Sequence, residues 1–271
     1  MSRIDQKFET LRSEGRKAFI PYLTAGDPDL DATLEIVVEM EAAGADIIEL
    51  GVPFSDPIAD GPVIQRATER ALRSGTSVDG ILDLVRKIRL SSEIPLLLMS
   101  YYNPLLNQGL AELARKASDA GLDGILASDL TVEESRPFVD AMSGANLNSV
   151  FLVAPTSSAE RLEKIARTST GFLYAVSRTG VTGATDALSD ELVGFVRRLR
   201  QHTDHPIAVG FGISRPAHVR AVWDEADAAI VGSAIVHRIE KRLGHSDMAA
   251  SVGALIRWMR GTQLAPEPQH P

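Results

Sequence analysis

The run Asp46-Ile47-Ile48-Glu49-Leu50-Gly51-Val52, followed by the proline-rich loop 53–62 and a helical pattern over 64–74, is one strand–loop–helix unit. Successive side chains of an extended strand point to opposite faces, so Ile47, Glu49 and Gly51 share one face and Ile48, Leu50 and Val52 the other. The same pattern recurs along the chain. Apolar runs of strand length stand at 18–23, 46–52, 95–101, 124–128, 149–154, 171–176, 206–209 and 228–231. Helical patterns separate them at 32–43, 64–74 with 78–90, 110–120, 133–142, 159–168, 189–201 and 216–223. Strictly alternating strands and helices at this length favour a (β/α)8 TIM barrel over a doubly wound open sheet. Ile4, Phe8 and Leu11 give 1–15 an extra N-terminal helix that would close the barrel bottom, and extra helices after the eighth strand fit 234–242 and 248–260. Residues 1–262 read as a single barrel domain, and 263–271 as a proline-rich, polar tail expected to be disordered.

Composition removes whole classes of chemistry. The 271 residues are 44% hydrophobic and carry 36 acidic against 28 basic groups, a net charge of −8. A nucleic-acid binder needs the opposite balance to replace counterions on phosphates. Without a single cysteine there is no thiolate nucleophile, no disulfide and no thiolate-held metal. The first residues lack a signal-peptide core, and no apolar run approaches the roughly 20 residues that span a bilayer, so a cytoplasmic location is expected.

In such a barrel the reacting groups sit at the carboxyl ends of the strands and in the loops that follow. None of the six lysines ends a strand, which argues against a Schiff-base aldolase. The six histidines fall on helices, ahead of the seventh strand or in the tail, and read as solvated surface residues, so no metal site is expected. Carboxylates remain at the strand ends: Asp27, Glu49, Asp56, Asp60, Asp129 and Asp186. Most loop acids are solvated or cap helices. If Ile48 and Leu50 pack against helices, Glu49 points into the barrel, where it must be paired, protonated or functional. Asp60 ends a loop stiffened by three prolines and stands just before Pro62, so it reads as either a turn acid or the second member of a pair with Glu49.

Opposite these acids, the seventh strand runs into Gly210-Phe211-Gly212-Ile213-Ser214 and the eighth into Gly232-Ser233-Ala234. Glycine-rich turns at helix N-termini after these two strands are the usual phosphate cradle of the barrel. The segment 177–186 after the sixth strand is rich in glycine and small polar residues and reads as a mobile lid or a plain surface connection. Tyr22, Tyr101, Tyr102 and Tyr174 all lie at or just before strand ends, where they would wall an aromatic ligand or pack the core.

The stretch Ile48-Glu49-Leu50-Gly51-Val52-Pro53-Phe54-Ser55-Asp56-Pro57-Ile58-Ala59-Asp60-Gly61-Pro62 resembles, without a break, the signature of the tryptophan synthase alpha subunit family. Tyr22-Leu23-Thr24-Ala25-Gly26-Asp27-Pro28, Tyr101-Tyr102-Asn103-Pro104, Arg178-Thr179-Gly180-Val181-Thr182-Gly183 and Val231-Gly232-Ser233-Ala234 are similar to that family too. The resemblance implies a carbon–carbon lyase of tryptophan biosynthesis that cleaves indole-3-glycerol phosphate to indole and glyceraldehyde 3-phosphate. It implies Glu49 as general acid/base and Asp60 as the group facing indole N1. Tyr22, Tyr174, Thr182, Gly183, Phe211, Gly212, Gly232 and Ser233 would contact substrate, with Thr182 meeting Asp60 as the lid closes. The implied partner is a beta subunit in an alpha2beta2 complex, faced by Pro53, Asp56 and Asn103. Pyridoxal phosphate would belong to that subunit, and this chain would bind no cofactor. One departure is local: Ser128-Asp129-Leu130-Thr131 stands where the family often has proline on either side of the Asp-Leu step.

Overall fold

Eight parallel strands pair in sequence order and close on themselves, the first against the eighth. The structure is a computed structural model that describes residues 1–176, 189–210 and 212–264. The strands are β1 (Ala18–Thr24), β2 (Ile48–Gly51), β3 (Leu96–Ser100), β4 (Gly124–Ala127), β5 (Asn148–Val153), β6 (Leu173–Val176), β7 (Ile207–Gly210) and β8 (Ala228–Val231). Each falls within two residues of the boundaries that alternation predicts. The helices among the described residues are α1 (Arg3–Ser13), α2 (Leu30–Ala42), α3 (Pro62–Arg73), α4 (Val78–Arg89), α5 (Tyr102–Asn107), α6 (Leu110–Ala120), α7 (Arg136–Gly144), α8 (Ala159–Thr168), α9 (Asp190–Arg200), α10 (Pro216–Glu225), α11 (Ser233–Lys241) and α12 (Met248–Met259). None is long and apolar enough to cross a membrane. Of the predicted tail, residues 265–271 lie outside the described residues.

Strand alternation divides the core in two. Ile48, Leu50 and Val52 join Phe19, Leu23, Leu96 and Leu98 in the layer between sheet and helices. Ile20, Ile47, Leu97, Leu126, Val150, Phe172 and Ile230 fill the barrel interior. The same interior cluster contains Ile4, Phe8 and Leu11, so α1 plugs the amino end as its spacing predicts. Phe8 meets Phe172 with ring centroids 5.7 Å apart. Ser2 and Asp5 form a reciprocal capping box that starts this helix.

The amino ends of the strands carry a repeated latch. Asp46, just before β2, accepts the Phe19 N–H of β1 at 2.9 Å and returns its own N–H to the Phe19 carbonyl at 3.0 Å. Asp123 before β4 does the same with Leu96 of β3, at 2.8 and 3.1 Å. Asp227 before β8 does it with Ile207 of β7, at 2.9 and 2.9 Å. Ahead of β6 the acceptors are hydroxyls, Thr170 taking the Ser149 N–H and Ser169 the Phe151 N–H of β5. These exchanges satisfy backbone groups that would otherwise be orphaned where each strand begins.

Short α5 is absent from the sequence reading. Its six residues are fewer than two turns, too few to show a period, and Pro104 reads as a breaker although the first turn tolerates proline.

Candidate active site

Glu49 lies in the middle of β2, in register with Tyr22 on β1 and Leu97 on β3. Its side chain is fully buried, and neither carboxyl oxygen has a hydrogen-bond partner among the described residues. Burial alone pushes its pKa up to about 8, because nothing nearby compensates the lost hydration of the anion. Burial thus favours the protonated form of this carboxyl group at neutral pH.

Two tyrosines flank it, each on a glycine that leaves the room. A Cβ on Gly51 would lie 2.2 Å from the Tyr22 hydroxyl oxygen, and one on Gly210 would lie 2.7 Å from the Tyr174 ring. On its other side Tyr22 packs at Gly232, where an added Cβ would sit 3.5 Å from the ring. Tyr22 therefore spans from the turn after β8 to the Glu49 side of the mouth. Its hydroxyl stands 3.3 Å from Thr24 Oγ1. Burial raises both phenols well above their ordinary range, and the nearby Glu49 charge adds to the shift, so both keep their protons.

Asp60 belongs to the same assembly. Tyr22 lies within electrostatic reach of both Asp60 and Glu49. The Asp60 side chain is half-buried, and Oδ2 accepts the Tyr101 hydroxyl proton at 3.2 Å. Burial raises its pKa and this hydrogen bond opposes the rise. Gln65, in the first turn of α3, donates to the Asp60 carbonyl at 2.9 Å and fixes the loop end. Gly61 and Pro62 then start α3, with proline where its missing N–H costs nothing.

Opposite these acids, β8 ends in Gly232, and α11 begins at Ser233. Its first N–H groups have no intrahelical acceptor and make a seat for an anion. Gly212 adopts φ 65, the left-handed conformation that glycine alone enters freely. Thr182, Gly183 and Phe211, with Asp186, lie outside the described residues.

Two sequence expectations, on Pro53 and His218, need correction. Pro53, expected to face a partner, is buried just past the end of β2, where Val52 donates its N–H to Met99 O at 2.8 Å. Asp56 and Asn103 are exposed as expected. His218 is 1% exposed, not a surface residue; it sits in α10 and its Nδ1 accepts the Ser214 N–H at 3.3 Å, which shapes the turn after β7. Asp27, in the turn after β1 as expected, is fully buried and held by Arg70 through two bonds at 2.7 and 2.9 Å. Asp129 accepts the Tyr102 N–H at 2.6 Å and so ties the loop after β4, without its usual prolines, to the start of α5. The lysines pair at the periphery, Lys17 with Asp227 and Lys116 with Asp79. Among the described residues no group of three or more His, Asp or Glu is placed to hold a metal ion.

The role of Tyr101 escapes the sequence, since its partners are 41 and 42 residues away. The same is true of Glu240 on α11, which binds Arg66 and Arg70 of α3 and ties the helix that follows the Asp60 loop to the helix that begins at Ser233.

Comparison with known proteins agrees with this geometry. The family model described as "Tryptophan synthase alpha chain" matches residues 8–261. A tryptophan synthase alpha chain of Solibacter usitatus is 54% identical over 260 residues, covering 96% of this chain and 97% of the relative. One from a Thermoanaerobacter species is 44% identical over 256 residues, covering 94% and 97%. Among solved structures, tryptophan synthase subunit alpha of Legionella pneumophila superposes with a TM-score of 0.90 at 37% identity, covering 97% of this chain and 98% of that one. A chain from the mutually activating a2b2 tryptophan synthase complex of Pyrococcus furiosus superposes with a TM-score of 0.86 at 37% identity, covering 90% and 98%.

Proposed function

The chain belongs to the tryptophan synthase alpha chain family, whose reaction is the cleavage of indole-3-glycerol phosphate, and on that premise we propose that Glu49 and Asp60 carry out the cleavage. Indole carbon is a poor carbanion leaving group. Protonation of ring C3 solves the problem, because the resulting indolenine cation accepts the electrons of the breaking carbon–carbon bond and departs as neutral indole. Glu49 supplies that proton. The Glu49 carboxylate then takes the proton of the hydroxyl on the side-chain carbon bonded to C3, which becomes the aldehyde of glyceraldehyde 3-phosphate, and the acid is restored. The single observation that carries this reading is a fully buried carboxyl group with no hydrogen-bond partner among the described residues, on a strand position in register with Tyr22.

Asp60, ionised, accepts the ring N–H and stabilises the cation formed by protonation at C3. Opposite roles need opposite charge states, and the surroundings favour them: Glu49 is raised by burial without relief, whereas Asp60 is half-buried and receives a hydrogen bond. The phosphate is held by main-chain amides at Gly232, Ser233 and Gly212, with Gly183 of the 177–188 segment added. Tyr22 and Tyr174 wall the cavity between phosphate and ring.

The family works with a beta chain in an a2b2 complex, and pyridoxal phosphate belongs to that chain. Exposed Asp56, Ile58 and Asn103 form the proposed contact for it. A biosynthetic role of this kind places the chain in the cytoplasm. The test is Glu49→Gln assayed for indole release from indole-3-glycerol phosphate. Loss of about 10²- to 10⁴-fold in kcat with ligand binding retained is expected, and near-wild-type turnover would remove Glu49 from the reaction.

A further inference from the structure

The loop that carries Asp60 has one side chain bridging its two ends. The Tyr101 ring stacks on Phe54 near the loop's start, with centroids 5.2 Å apart. The Tyr101 hydroxyl reaches the loop's end, where it accepts the Ala59 N–H at 2.9 Å and donates to Asp60 Oδ2 at 3.2 Å. The phenol itself is anchored from behind. Tyr101 is 6% exposed, directly follows β3 and caps the start of α5, whose first N–H is held by Asp129. The accepted Ala59 N–H orients the hydroxyl so that its one proton is directed at the carboxylate. Among the described residues Asp60 Oδ1 takes no hydrogen bond, which leaves that oxygen for a ligand.

We propose that Tyr101 is a positioning residue for the cleavage reaction: it clamps the Asp60 loop at both ends, occupies Oδ2 and aims Oδ1 at the indole N–H. The inference rests on the reading of Asp60 given above. A hydroxyl that donates to the ionised carboxylate also favours that ionised form. The other ionisable groups around the pair are Tyr22, which faces Asp60 from β1, Glu49 beyond Tyr22, and Asp129 beside Tyr101. Of these only Tyr101 donates a hydrogen bond to Asp60.

The experiment compares wild type, Tyr101→Phe, Asp60→Asn and the double variant for the pH dependence of indole release, with thermal unfolding measured alongside. Tyr101→Phe keeps the ring on Phe54 and removes only the hydroxyl. The expected result is a loss of about 10- to 100-fold in kcat/KM and an acidic limb displaced to higher pH, with unfolding close to wild type. On the Asp60→Asn background the same change should add little, because the two groups act as one unit. If Asp60→Asn is impaired while Tyr101→Phe matches wild type in rate and pH profile, the positioning role is overturned and the reading of Asp60 stands. An unshifted limb with a loss of equal size on both backgrounds also overturns it, since that reports general loosening. A fully active Asp60→Asn overturns the underlying reading of Asp60, and this inference with it.

Discussion

The two ends of the barrel treat buried acids in opposite ways. At the amino end, Asp123 is 3% exposed, yet it accepts the Leu96 N–H and ion pairs with Arg89 at 2.8 Å and Arg3 at 3.1 Å. Asp46 and Asp227 are likewise held by a neighbouring strand's N–H and by basic side chains. At the carboxyl end Glu49 is as deeply buried and, among the described residues, has none of this. Burial raises the pKa of Asp46, Asp123 and Glu49 alike, but only in the two aspartates do donors and cations work against it. Depth alone therefore does not mark a reactive acid. Depth without partners is what supports the role proposed for Glu49, because an unsatisfied carboxyl group adds nothing to the fold's stability.

That contrast is breakable, and the largest effects come first. Glu49→Gln should lower indole release by up to about 5 kcal/mol of transition-state stabilisation, while Asp123→Asn should leave turnover per folded molecule unchanged, as steady-state assays at matched folded concentration would show. Conversely, Asp123→Ala strands the Arg89 and Arg3 guanidinium groups and the Leu96 N–H, and should cost about 3–5 kcal/mol in urea unfolding, with the mouth left intact. A stability loss below about 1 kcal/mol would dissolve the distinction between the two ends.

The third effect is a pH dependence. Glu49 has a raised folded-state pKa, about 8 against 4.5, so between those values the folded protein holds a proton that the unfolded chain releases. Its contribution to stability is present below about pH 4.5 and is lost as pH rises toward 8, a change of about 3 kcal/mol by pH 7. Denaturation of wild type and Glu49→Gln across this range should show the two curves diverging, with the variant gaining relative stability at the alkaline side. Parallel curves would mean that Glu49 is ionised in the folded protein. Asp60→Asn should cost less than Glu49→Gln, about 10- to 100-fold in kcat, since a neutral amide oxygen still accepts the ring N–H. Smallest of all, Arg115→Ala, which breaks two exposed pairs on α6, should leave the urea-unfolding midpoint indistinguishable from wild type.

What was legible in the sequence follows from range. Alternation within seven residues placed Glu49 inside the barrel, and its neighbours Ile48 and Leu50 do pack outward as that reading required. The N-terminal plug was equally local, a stripe of Ile4, Phe8 and Leu11. The latches were not legible, because Asp123 looks like any loop acid until Arg3, 120 residues away, and Leu96 are brought to it. Pro53 was assigned to the partner face through the family resemblance alone, and its burial just past β2 became visible only in the fold, where Val52 pairs with Met99. Tyr101 was seen as a possible wall residue, but nothing near it in sequence foretold that it would grip Phe54, Ala59 and Asp60 together.

The latch that recurs ahead of every second strand has an architectural consequence. Each exchange is confined to one pair of consecutive strands, β1 with β2, β3 with β4, β5 with β6 and β7 with β8, so the cylinder is tiled by four hairpin-free staves that each carry their own clasp. New chain ends cut at the surface connection around Asp204, between α9 and β7, would sever no clasp. A circularly permuted chain opened there should therefore rebuild the same mouth.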